Sequence, residues 1–195
     1  MHQNLVKYKV VIAVLFALLL WGCSNEGDEA NSLPTQPDDG LRSEVFGARF
    51  VITDSSRLQA ILKASRVIEK EEKETEDAKP ELVIYLYDSV HIEFFNARER
   101  PESNVTSQNG IYWKDKKLAR LTGNVILINK KGEKLESEEL YWDEKNEKIY
   151  TKKYVRVQTA DRIVTGDSGL VSNSTFTEWE VKGNIKAEYE YDEDF

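Results

Sequence analysis

Gly123-Asn-Val125-Ile-Leu127 is answered thirty positions later by Lys153-Tyr-Val155-Arg-Val157, and thirty after that by Gly183-Asn-Ile185-Lys-Ala187. Each copy has a forerunner: Ser107-Gln-Asn-Gly-Ile111-Tyr112-Trp113, then Ser137-Glu-Glu-Leu140-Tyr141-Trp142. The third, Thr165-Gly-Asp-Ser-Gly-Leu170-Val171, stands two residues out of step. A fixed period of this length marks a stacked architecture. Each copy holds two short apolar runs split by Lys, Asp, Asn or Gly, which is the pattern of two strands and a turn. The turns at Lys114–Lys117, Lys130–Glu133, Asp143–Glu147, Thr159–Asp161 and Ser172–Ser174 are short and rich in residues that favour tight reversals. Strands joined so closely pair antiparallel.

Alternation gives the facing. Side chains in a strand point to opposite faces with period two. Leu121, Val125 and Leu127 share one parity with Gly123; Val155 with Val157, and Ile185 with Ala187, repeat it. These positions form one apolar wall, which no single copy can bury alone, so the copies lie side by side. Such a wall is either the core of a small antiparallel sandwich or the lining of a trough, and parity does not separate the two.

The 195 residues are enough for one domain with a leader and a tail. At 40% hydrophobic and 32% charged, the composition is that of a globular protein. The net charge of -8 is unevenly spread. Residues 105–187 carry 15 Lys and Arg against 12 Asp and Glu, while acid gathers around Asp28 and Asp39, in Glu69–Glu81 and in the tail after Ala187. No basic stripe with interleaved aromatics points to nucleic acid. Cys23 is the sole cysteine and His2 and His91 the only histidines, so a metal centre or a histidine-based catalytic group has little to draw on. No phosphate-cradling glycine loop and no nucleophile elbow is present. The expectation is no enzyme, no cofactor and no metal.

Residues 1–22 read as an export signal. Lys7 and Lys9 precede an apolar run of 11 residues, Val10 to Leu20, too short for a bilayer core that needs about 20. The run ends in Leu20-Trp21-Gly22-Cys23, which resembles a bacterial lipobox, with Trp21 where a small residue is usual. The resemblance implies cleavage before Cys23 and acylation of that residue. Acyl chains hold a protein to a membrane by about 0.8 kcal/mol per buried CH₂. Residues 23–42 read as the acylated cysteine and a tether, polar, acidic and broken by Pro34, Pro37 and Gly40. The domain is expected over 43–190, with an acidic tail at 191–195.

Within the domain, Phe50–Asp54 reads as a strand. Ser56–Ile68 fits a helical and a strand period equally; its match to Val105–Gln108 and Leu135–Glu138 favours strand. The charge-dense Glu69–Pro80 reads as a solvated loop. Val90, Ile92 and Phe94 alternate with His91 and Glu93, so His91 is expected to face water or a strand neighbour.

The ordered series Leu121-x-Gly123-Asn-Val125, Gly132-Glu-Lys-Leu135-x-Ser137-x-x-Leu140, Trp142-Asp143, Ile149-Tyr-Thr151, Val155-x-Val157 and Ile163-x-Thr165-Gly166 resembles the LptC family of lipopolysaccharide-export proteins. It is most similar to the lipoprotein form of Bacteroidetes-like bacteria. The resemblance covers most of residues 41–187; the long acidic insert at Glu69–Lys79 departs from it. It implies an all-β fold, a twisted antiparallel β-jellyroll of the OstA-like kind, open along one side. It implies no catalysis. The implied role is to take lipopolysaccharide from the inner-membrane Lpt ABC transporter and pass it to an LptA-like periplasmic jellyroll, from a site anchored by lipid at the periplasmic face of the inner membrane. Partner domains in the family join by adding strands across exposed edges. On this basis the inward, lipid-facing positions are Val90, Ile92, Phe94, Leu121, Val125, Leu127, Leu140, Trp142, Val155, Val157 and Ile185. An alternative role is a membrane-anchored structural lipoprotein whose sheet docks envelope proteins without carrying lipid.

Overall fold

A long strand stays in one sheet only while its backbone stays pleated; a positive φ or a skipped register turns it. The computed structural model describes residues 40–73 and 75–189. The expected signal, Cys23, the tether up to Asp39 and the tail at 191–195 lie outside the described residues. The described residues form one antiparallel sheet of thirteen strands and no helix. The strands are β1 (Leu41–Asp54), β2 (Arg57–Glu72), β3 (Glu81–Phe95), β4 (Pro101–Ser107), β5 (Asn109–Trp113), β6 (Leu118–Asn129) and β7 (Lys134–Asp143). They continue with β8 (Lys148–Thr151), β9 (Val155–Gln158), β10 (Arg162–Gly166), β11 (Leu170–Asn173), β12 (Trp179–Val181) and β13 (Lys186–Tyr189).

The long strands each serve two layers. Residues 83–86 of β3 pair with β5, and residues 90–95 with β4. β6 likewise pairs with β5 through 118–122 and with β4 through 126–129. β7 meets β9 through 134–137 and β8 through 141–143. One layer therefore runs through the second half of β2, the first half of β3, β5, the first half of β6, the second half of β7, then β8, β11 and β12. The other runs through the complementary halves with β4, β9, β10 and β13. β1 pairs along the whole of β2, and among the described residues β1, β12 and β13 each have a single neighbour, so the sheet they form is not closed. This is the antiparallel jellyroll implied by the resemblance.

The repeat is the bend. Gln108, Gly123, Glu138, Lys153, Ser168 and Gly183 stand fifteen residues apart, and each lies where the chain crosses from one layer to the other. Two crossings make one thirty-residue copy. The corner is stitched by backbone bonds, Gln108 N donating to Gly123 O at 2.9 Å and Lys182 N to Gly169 O at 2.8 Å. Gly123 has φ +80°, and a Cβ there would come within 2.6 Å of Gln108 Oε1. That combination asks for glycine on both counts. The earlier crossings use Asp88 and Ser89 at φ 58° and 76°, and a skipped register between Ala64 and Arg66.

The two layers face each other across one core. Phe94 in one layer meets Trp142 in the other edge-on, with ring centroids 5.0 Å apart and planes at 80°. β3 and β7 are not neighbours in the sheet, so this contact spans the interior. Leu86, Ile92, Leu121, Leu127, Leu135, Leu140, Ile149 and Leu170 fill the space around it, each fully buried. Burial of a side chain of this size is worth about 1.5–3 kcal/mol.

Two sequence expectations shift. The stretch 56–68 is indeed strand from Arg57 on, as part of β2, with Ser56 in the turn before it. The loop expected from Glu69 begins later, because β2 continues to Glu72 in register with Glu81–Ile84. The charges that suggest a loop are paired along the strand: Ser43 donates to Glu69 at 3.0 Å, and Arg42 bridges Glu71. At the other end, β1 starts at Leu41, ahead of the expected domain boundary, because that residue already pairs with Lys70.

Candidate functional site: the interior between the layers

Parity places side chains on the inner face; packing decides what they touch there. Of the eleven positions expected inward, Val90, Ile92, Phe94, Leu121, Val125, Leu127, Leu140, Trp142, Val155 and Val157 are exposed by no more than 1%. They converge in one cluster. Ile185 does not join it and is 56% exposed. It lies outside any strand, in the corner before β13, and lines a hollow with Arg156, Ile163 and Thr165. Ala187 stands opposite Val164 on the inner side of the sheet, yet all of β13 is exposed. The last strand runs past the reach of the facing layer.

The middle of the interior is filled by the protein's own side chains. Two hollows among the described residues adjoin it. The first is a slot of about 310 Å³ where β1 curls over the opening between layers. Phe50, Ile52 and Leu62 form one wall, Ile84, Leu86 and Tyr112 the other, with Glu69 and Lys114 at the rim. Its apolar lining with a few polar groups at the edge is the usual character of a small-molecule pocket. Tyr112 donates to Glu144 Oε2 at 2.7 Å, and Glu144, 5% exposed, also receives Lys117 Nζ at 3.2 Å. Burial, then the bond to Glu144, raises the Tyr112 phenol well above its ordinary value, so the ring is a neutral, fixed wall.

The second is a cavity of about 220 Å³ lined by Phe94, Phe95, Trp142, Arg57, Gln59, Glu147 and Ser174. Trp142 Nε1 and Ser174 Oγ are buried beside it with no hydrogen-bond partner. Arg57 and Gln59 both donate to Glu147 Oε1, at 2.9 and 3.2 Å, and close its rim. Two unpartnered polar atoms in a roomy, polar-edged hollow are what an ordered water satisfies.

The outer faces differ. On one layer, Ile68, Tyr85, Ile111, Arg120, Tyr141, Tyr150 and Val171 form one continuous rung. Tyr141 and Tyr150 stack at 5.2 Å there. The corresponding rung on the other layer is Lys63, His91, Thr106, Ile126, Glu136, Arg156 and Thr165. His91 is thus half-buried between Lys63 and Thr106, as a strand neighbour rather than a site. Among the described residues no group of three or more His, Cys, Asp or Glu could hold a metal ion.

The slot residues Phe50, Ile52, Leu62, Ile84, Leu86 and Tyr112 were not singled out by the repeat, because most precede it. The signal was present in the alternation of Phe50 with Ile52 and in the shared parity of Gly110 and Tyr112.

A bent antiparallel sheet with two facing layers, an unclosed edge and an apolar slot between them is a β-jellyroll. The family model described as lipopolysaccharide-assembly, LptC-related, matches residues 10–190, and the chain belongs to this family. It therefore has a part in lipopolysaccharide transport, within a family that works as a periplasm-facing, inner-membrane-associated transport component. No curated protein matches the chain.

Proposed function

We propose that the protein carries lipopolysaccharide between the inner-membrane Lpt ABC transporter and an LptA-like periplasmic jellyroll, with acylated Cys23 holding it at the periplasmic face of the inner membrane. The observation that carries this is the apolar slot at the β1 side, which lies between the layers and opens to solvent. An acyl chain entering there trades water for Phe50, Ile52, Leu62, Ile84 and Leu86, at roughly 25 cal/mol per Å² removed from water. The slot makes few directional contacts, so the chain can leave again. Beyond it lie the fully buried residues of the core, which an acyl chain reaches only if the layers part along the unclosed β1 edge.

The filled interior, with Phe94 against Trp142, favours a second role, docking of envelope proteins without lipid. A photo-reactive residue at Ile52 or Leu86, exposed to lipopolysaccharide, separates the two. Labelling at these positions and not at Lys182 supports carriage. Labelling at Lys182 alone, or at none of the three, supports docking.

A further inference from the structure

The cavity beside Phe94 and Trp142 has a mouth built from the tips of both layers. One layer supplies Arg57 and Gln59, at the start of β2, and the turn between β3 and β4; the other supplies Glu147, in the turn between β7 and β8. Arg57 Nη2 and Gln59 Nε2 both donate to Glu147 Oε1, across 90 and 88 residues of sequence. These bonds form a clasp that joins the layers over the cavity. Its ion pair is open to water, with the Arg57 and Glu147 side chains 42% and 56% exposed. An exposed pair of this kind contributes little to stability, so the clasp is easily undone.

Two more guanidinium groups belong to the same tip. Asn96 and Ala97 line the cavity, and Arg98 and Arg100 follow them in the turn. That turn is fixed from within. Asn96 Oδ1 accepts from Arg98 N at 2.9 Å and from Arg100 N at 3.2 Å, and Asn96 Nδ2 donates to Glu102 at 2.8 Å. Glu99 is tied to β2, accepting from Leu58 N at 3.0 Å. Arg98 and Arg100 are exposed, and neither has an ion pair among the described residues. Three arginines therefore stand against Glu99 and Glu147, an excess of positive charge. The guanidinium fork matches phosphate in both charge and shape.

Below the mouth the chemistry changes. Phe94, Phe95 and Trp142 wall the cavity, and Trp142 Nε1, in a residue only 1% exposed, is a buried donor with no partner. At about 220 Å³ the space is smaller than the roughly 300–1,000 Å³ of a pocket that holds a whole ligand, so it takes part of one. We propose that this is a binding site for a phosphorylated amphiphile. The phosphate lies on Arg57, Arg98 and Arg100, and the chain beneath it runs along Phe94 and Phe95. The ester or amide carbonyl at the head of that chain accepts from Trp142 Nε1. The ligand opens its own way in: its phosphate takes Arg57 from Glu147, while Gln59 stays on Glu147 and keeps the layers joined. The phosphates of lipopolysaccharide and those of an anionic phospholipid share this chemistry. With lipopolysaccharide as the ligand, the site rests on the carriage proposed above and adds a grip on the head group.

The test uses the full chain carrying Cys23→Ala, immobilised and titrated with three probes. These are lipopolysaccharide, the same lipopolysaccharide with its phosphates removed, and vesicles of phosphatidylglycerol. Arg57→Ala, and the double variant Arg98→Ala with Arg100→Ala, are each expected to weaken binding of phosphorylated lipopolysaccharide about tenfold. Binding of the dephosphorylated form should stay unchanged. The double variant has no ion pair to lose, so it keeps the fold. Glu147→Gln, which frees Arg57, should strengthen binding of the phosphorylated form about threefold. Lys153→Ala, at a crossing away from the mouth, should change neither. Equal affinity of all variants for the phosphorylated form, or equal losses with both forms, overturns the phosphate site and leaves carriage through the slot standing. Losses confined to the vesicles keep the site and assign it to phospholipid. No binding of lipopolysaccharide by the chain without these substitutions overturns carriage; vesicle binding that is then equal across the variants overturns the site with it.

Discussion

Phe94→Ala tests whether the two layers are in contact through the middle of the molecule. Phe94 is 1% exposed and meets Trp142 edge-on at 5.0 Å, from strands separated in the sheet by β4 and β6. Loss of a buried Phe side chain costs about 3–5 kcal/mol, and the edge-to-face pair accounts for about 0.5–1.5 of it. Phe94 also lines the 220 Å³ cavity, so the void left behind merges with room that already exists. Water can occupy the joined space, which puts the expected loss at the lower end, about 3 kcal/mol. A domain near 150 residues loses about 2–4 °C of Tm per kcal/mol, so the melting point should fall by roughly 6–12 °C. Urea unfolding followed by circular dichroism measures the first quantity. Fluorescence in a background with Trp113→Phe and Trp179→Phe, on a soluble form lacking residues 1–23, measures a second: Trp142 emission should move to the red. A loss below about 1.5 kcal/mol with unmoved emission would refute interlayer contact at this point.

Four further outcomes follow from the same geometry. Ile52→Trp places an indole in the slot and should abolish lipopolysaccharide labelling at Leu86 while changing stability by less than about 1.5 kcal/mol, by urea titration. Gly123→Val should destabilise more than Gly132→Val. Both glycines have φ near +80°, but only at Gly123 does a Cβ meet an atom within 4 Å, so the difference in urea midpoint reports crowding at the corner. Glu136 is held below its ordinary value, first by the bond from Lys134 and also by Arg156. A depressed carboxyl stabilises the fold above its unfolded pKa and loses that effect as pH falls through the folded one. Glu136→Gln should therefore lower the melting point at neutral pH and have no effect once Glu136 is protonated in both states. Tyr112 is shifted the opposite way, upward from about 10. Its contribution is full below pH 10 and is lost as pH rises further, so Tyr112→Phe should flatten the alkaline limb of a Tm–pH profile.

The bend was legible in the sequence through particular residues. Gly123, Lys153 and Gly183 repeat at thirty because a strand can turn into the other layer only where its pleat is broken, and the strands on either side are about equally long. The intermediate crossings at Gln108, Glu138 and Ser168 share no residue type, so the finer period of fifteen was hidden. At Glu138 no special residue is needed: it sits opposite Gly123 and Asn124, whose positive φ values turn both strands at once. Charge density misled at Glu69–Glu72 for a related reason. Acidic residues read as solvated until the strand that pairs with them is known, and here Arg42 and Ser43 come from β1, which precedes the repeat.

The site was less legible than the fold because alternation is a property of one strand, while a binding space is a property of two layers. Val125, Leu127 and Val157 are inward, and so is Ala187 by register, yet the first three are sealed and the last is open. What distinguishes them is the strand lying across the gap, which no local pattern encodes. The same geometry leaves the loosest packing at the ends of the sheet. In the middle, most inner side chains are fixed by contacts from both layers, and apart from the cavity beside Phe94 and Trp142 the packing leaves no room for a guest. At the β1 edge the facing layer falls short and leaves the slot; at the β13 edge it falls short and leaves a strand that buries nothing. Under the proposed carriage of lipid, the β1 edge is where cargo enters, and a rigid centre keeps the two layers in register beside it. If the centre instead exchanged amides as fast as the exposed residues 186–189, the slot would be loose for want of stability and would mark no site.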